Sequence, residues 1–99
     1  MMTSNILDIL KSYADTISKN VHGEWVGKFM GKWVFKYIND MNYYIYTCTK
    51  DPSSRPLWHW INYQNPSIKT INKLMPNTIK CIKEIAIQEK MDKIHEDFT

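Results

Sequence analysis

Residues Trp25 to Ile38 read WVGKFMGKWVFKYI, and the character of their side chains alternates with a period of two. Odd positions carry Trp25, Gly27, Phe29, Gly31, Trp33, Phe35 and Tyr37. Even positions carry Val26, Lys28, Met30, Lys32, Val34, Lys36 and Ile38. Successive side chains of a strand point to opposite faces, so extended backbone sends the aromatics to one face and Lys28, Lys32 and Lys36 to the other. The stretch is long for a single strand. Gly27 and Gly31 mark places where it bends or turns. Both a hairpin through Met30-Gly31 and a bent strand satisfy the pattern, although Met-Gly is a weaker turn pair than Asn-Gly.

Downstream, Asn39-Asp40-Met41-Asn42 is a turn of residues that tolerate turn geometry. Tyr43 to Thr49 is β-branched or aromatic apart from Cys48, and reads as a strand. Lys50 to Pro56 is a loop whose two prolines would interrupt any ladder. Leu57 to Asn62 is a further short strand, with Leu57, His59 and Ile61 alternating with Trp58, Trp60 and Asn62.

The flanks are helical in character. In residues 4 to 20, Ile6, Leu7, Ile9, Leu10, Tyr13 and Ile17 recur at helical spacing, with Ser4 as N-cap and Gly23 as the stop. Asn65-Pro66 predicts a second helix, with Asn as cap and Pro at the first helical position. Its apolar side is Ile68, Ile71, Leu74 and Met75, and Pro76 ends it. Asn77 caps a last helix, from Thr78 to about Glu96, with Ile79, Ile82, Ile85, Ala86, Met91 and Ile94 inward.

Strands joined by short turns are antiparallel. The expectation is an α+β fold: an antiparallel sheet of three to four strands packed by an N-terminal helix and two C-terminal helices. The length of 99 residues fits a single domain over 1–99. The element order helix, three strands, helix is similar to that of the double-stranded RNA-binding domain. The resemblance stops at the order, because Asn77-Thr78-Ile79-Lys80-Cys81 holds no basic run.

A hydrophobic content of 43% with 23% charged residues is that of a folded globular chain. No apolar run approaches the length of a membrane span, and the N-terminus lacks the pattern of a signal peptide. The expected location is the cytoplasm, or the interior of the host cell for a viral chain. Heavy use of Lys, Asn and Ile is what an AT-rich genome yields, as in a virus, a phage or an AT-rich cellular organism. Cys48 and Cys81 form no CxxC pair and read as reduced structural thiols.

Chemistry-bearing motifs are sparse. There is no Gly-rich phosphate loop, nucleophile elbow or HExxH. His22, His59 and His95 share no ligand spacing with each other or with the cysteines, so no metal and no cofactor is expected. Asp92 and Glu96 read as a solvated helix face. The chain is therefore expected not to be an enzyme.

Eleven of the thirteen aromatics lie between Trp25 and Tyr63, which suggests an interaction module. Its partner is expected to be a protein, or a second copy in a homodimer, bound through the aromatic sheet face and the segment RPLWHWINY. The site residues there are Arg55, Trp58, His59, Trp60 and Tyr63. Arg55 is the lone arginine, and Trp and Arg are enriched at binding hot spots. The alternative is a nucleic-acid or nucleotide binder. It would grip phosphates with Lys28, Lys32, Lys36, Lys69, Lys73, Lys80 and Lys83 and stack bases on Trp or Tyr. A geometric objection stands against it, since the phase that gathers the lysines places Trp33 and its neighbours on the opposite face.

Overall fold

A computed structural model describes residues 6–54 and 57–97, the last four as backbone. The proposed Ser4 cap, Arg55 and the side chains of Ile94, His95 and Glu96 lie outside the described residues. The element order is α1 (Ile6–Lys11), β1 (Thr16–Lys19), β2 (Trp25–Phe29), β3 (Lys32–Asn39), β4 (Asn42–Lys50), β5 (Trp58–Gln64) and α2 (Ile68–Asp97). The strands form one antiparallel sheet in sequence order, β1-β2-β3-β4-β5. The fold is α+β, with five strands rather than three or four and one long C-terminal helix rather than two.

The fifth strand comes from the segment expected to be helical over 4–20. The helix ends at Lys11, where Ser12 turns its hydroxyl back to the Ile9 carbonyl. Asp15 then ties the chain to the sheet: its amide donates to the Lys28 carbonyl and its carboxylate accepts from the Met30 amide. Ile17 thereby becomes the partner of Gly27 instead of part of a helical stripe. Gly23 is not a helix stop but a turn residue with φ 78° between β1 and β2. Asn20 closes that turn by accepting the amides of His22 and Glu24.

The β2–β3 hairpin turns through Met30-Gly31, both in the left-handed region with φ of 50° and 81°, as a two-residue hairpin requires. One row of cross-strand neighbours, Ile17, Gly27, Phe35, Ile45 and Tyr63, crosses all five strands on the helix-covered face. On it, Phe35 and Ile45 pack with Leu10 of α1 and with Ile71, Met75 and Ile82 of α2. The Phe35 ring occupies the space that a side chain at Gly27 would take.

Pro76 does not end the helix. It lies inside α2, and the buried positions Ile71, Met75, Thr78, Ile82 and Ile85 run through it at spacings of four and three. Continuous burial of that stripe outweighs the one backbone bond that Pro76 cannot make. Asn77 is accordingly a mid-helix residue. The N-cap is Ser67, whose hydroxyl accepts from the Thr70 amide. Asn65 instead extends the β4–β5 ladder, exchanging hydrogen bonds with the backbone of Tyr43.

The last ladder pair between β3 and β4 towards this end is Phe35↔Ile45. Beyond it β4 continues with β5 alone, and α2 takes the vacated edge. The Cys48 amide donates to the hydroxyl of Thr78 at 3.2 Å, and that hydroxyl donates to the Leu74 carbonyl at 3.0 Å. Cys48 and Cys81 are both free and lie side by side. Burial, and then the neighbouring Cys81, push the Cys48 thiol up to about 11. Met91 does not point inward: it is 58% exposed on the far end of α2.

Candidate functional site: the open sheet face

The face of the sheet turned away from the helices carries the exposed aromatics, and a single irregularity decides which ones. Between β2 and β3 the register shifts, so that Gly27 pairs with Phe35 while Lys28 pairs with Trp33. Val34 is the extra residue of a bulge, and it reverses the alternation on either side of itself. Phe35 points to the core. Trp33, expected to share its face, points to the open side and is 48% exposed. The same shift breaks the line of lysines. Lys28 and Lys36 lie on the open face with Trp33, whereas Lys32 pairs with Phe29 and bridges to Glu89 of α2 at 3.2 Å.

From β4 and β5, the side chains of Tyr46, Trp60 and Asn62 join Trp33. Tyr46 pairs with Asn62 in the ladder and meets the Trp33 ring edge-on, with centroids 6.1 Å apart and planes at 74°. Burial raises the Tyr46 phenol, with Lys36 opposing. These three rings, with Asn62, Gly31 and Lys32, line an open groove of about 330 Å³. Trp60, 42% exposed, forms one wall.

Cations edge this surface. The Lys28 ammonium stands 5.8 Å from the Trp33 ring centre and that of Lys50 stands 5.5 Å from Trp58. Lys36 is bound to Glu24 at 3.4 Å. The hydrogen bond from the Asn20 amide is the largest influence and, with the Lys36 ammonium, holds the Glu24 carboxyl below the usual carboxylate range although burial works against it.

The site residues expected from sequence thus divide. Trp58 and Trp60 belong to the open face. His59 is half-buried and hydrogen-bonds Ser54 at 3.1 Å, which pins the loop before β5. Tyr63 packs against the core beneath α2. Lys69, Lys73, Lys80 and Lys83 are exposed on α2, apart from the open face. Trp33 and Tyr46 were missed: nothing in the alternation marks Val34 as an extra residue, and Tyr46 joins the site only through its ring contact with Trp33.

Among the described residues, no group of three or more His, Cys, Asp or Glu side chains converges to hold a metal ion. No helix among them is long and apolar enough to cross a membrane. No protein-family model matches the sequence, and no curated protein or solved structure matches it.

Proposed function

We propose that this chain is a small non-enzymatic interaction module whose open sheet face binds a protein partner. The observation that carries the reading is the groove between Trp33, Tyr46 and Trp60. Two half-exposed tryptophans facing one cleft with Tyr46 make a contiguous aromatic surface, and Trp and Tyr are the residues enriched at the centres of protein interfaces. The groove suits one aromatic or long aliphatic side chain, with Asn62 offering its amide to the partner's backbone. Lys28 at the edge favours an acidic residue beside that anchor, because rim charges steer and select partners, whereas Lys50 is already bridged to Glu84 at 3.8 Å.

The test uses a random peptide library displayed on phage, selected on the wild-type protein. Peptides sharing an apolar anchor with an acidic residue beside it should be enriched. They should lose binding to the double variant Trp33→Ser, Trp60→Ser while its circular dichroism stays unchanged. Equal binding by the folded double variant would overturn the proposal.

A second reading, nucleic-acid binding, draws on the placement of Lys28 beside Trp33. The bulge brings a cation and an exposed ring to one face, which removes the geometric objection for that pair. The remaining lysines add little to it, since Lys32 is bridged to Glu89, Lys36 on the open face is bridged to Glu24, and the α2 lysines lie elsewhere. Tryptophan fluorescence titrated with a single-stranded oligonucleotide at low and high salt separates the two readings. Phosphate contacts make affinity fall steeply with salt.

A further inference from the structure

We infer that the free edge of β5 pairs with β5 of a second copy of this chain, antiparallel, joining two sheets into one of ten strands. This goes beyond the groove, which receives a side chain, by assigning the neighbouring strand edge to a backbone partner.

The hydrogen-bonding parity of β5 is fixed at both ends. The Asp51 amide donates to the Leu57 carbonyl, and the Asn65 amide donates to the Tyr43 carbonyl. Odd positions from Leu57 to Asn65 therefore turn their backbone groups towards β4. The carbonyl of Ile61, which also accepts from the Thr47 hydroxyl, agrees. Trp58, Trp60, Asn62 and Gln64 turn their amides and carbonyls outward. Among the described residues β5 is the last strand of the sheet, with no strand beyond it.

Exposed edges are ordinarily guarded by charge, proline, a bulge or brevity. The other edge, β1, has four residues, one of them Lys19. β5 has seven residues and none of these guards. Its ladder to β4 runs without a register shift, and no charged residue occurs from Leu57 to Ile68. A neutral edge meets its own copy with no like-charge clash. An acidic or basic partner strand finds nothing there to select it.

Two-fold pairing that uses every outward group centres on Ile61. Trp58 then faces Gln64 of the second copy, Trp60 faces Asn62 of the second copy, and Ile61 faces its own equivalent. On the open face the two Trp60 rings come into diagonal reach. On the other face the two Ile61 side chains, each 46% exposed in the single chain, cover one another.

The test is sedimentation velocity from micromolar to hundreds of micromolar protein. Wild type should dimerise. Ile61→Lys and Ile61→Glu each place like charges opposite one another at the two-fold axis. Each should weaken the dimer by about 100-fold or more, and an equimolar mixture of the two should re-form a dimer. Ile61 lies outside the groove, so both variants should keep the peptide binding proposed above. A wild type that stays monomeric overturns the inference, as do variants that dimerise like wild type. Should either variant fail to fold, amide exchange in the wild type decides. Protection of Trp58, Trp60, Asn62 and Gln64 that rises with concentration supports the pairing, and fast exchange at every concentration rejects it.

Discussion

Gly27 is the residue on which the sheet's packing turns. A Cβ placed there would sit 1.9 Å from the Phe35 ring, well inside contact distance. Phe35 is fully buried and held by both helices, so the ring cannot swing aside freely. Gly27→Ala is expected to destabilise the fold by about 1 to 3 kcal/mol, as overpacking of a core does. Thermal unfolding should show a melting point lowered by several degrees or more. An unchanged melting point would mean that the ring has room to move. A second residue-scale effect is electrostatic. The Tyr37 hydroxyl donates a hydrogen bond to Asp40. That bond, then burial, then the Asp40 charge push the phenol up to about 12 from 10.0. A folded-state value above the unfolded one favours the protonated phenol in the native state. Its contribution to stability is fully present below pH 10 and is lost as pH climbs through 12. Absorbance titration should find Tyr37 among the late-ionising tyrosines, and Asp40→Asn should shift part of the late absorbance change to lower pH.

At the scale of elements, the critical junction is where β3 leaves β4 and α2 takes its place. Thr78 is fully buried and serves both sides, accepting from the Cys48 amide and donating to the Leu74 carbonyl. Thr78→Val keeps the shape and removes both bonds. It strands a buried amide, which costs about 1 to 3 kcal/mol. Urea unfolding should show a lower midpoint with an unchanged slope. A neutral result would place a water at the Cys48 amide. The same junction shows why some elements were readable and others were not. The two-residue alternation from Trp25 to Phe29, the Asn39–Asn42 turn and the Tyr43 strand are local patterns, and they form as read. β1 was hidden because Ile17 fits a helical stripe as well as a strand, and only the Asp15 ties to Lys28 and Met30 choose between them. Pro76 read as a stop because its local cost is visible in sequence, whereas the stripe from Ile71 to Ile85 gains its energy from a sheet assembled elsewhere. For the site, Trp60 was legible from composition. Trp33 was not, since the bulge at Val34 arises from pairing with β2.

At the scale of the whole molecule, α2 is longer than the sheet needs. A helix of 30 residues is about 45 Å long, and the molecule measures 58 × 30 × 23 Å. From Ile87 to Lys93 every residue is exposed, with Ile87 at 60%. The radius of gyration of 15.4 Å exceeds the roughly 13 Å of a compact chain of this length. This end reaches the sheet through Glu89, which bridges to Lys32 with both side chains well exposed, and through Ile87 and Lys90, which line a shallow cavity with Met30. Such a surface pair is worth at most about 1 kcal/mol. A chain ending at Gln88 is therefore expected to fold, with an unfolding free energy lowered by no more than about 1 kcal/mol. Its radius of gyration in X-ray scattering should fall towards about 13 Å. The measurement belongs on the Ile61→Lys background, so that strand pairing between copies does not enlarge the particle. A shortened chain that unfolds would show that the end of α2 packs back on the domain. A radius that stays near the full-length value would show that the projecting end is not what extends the molecule.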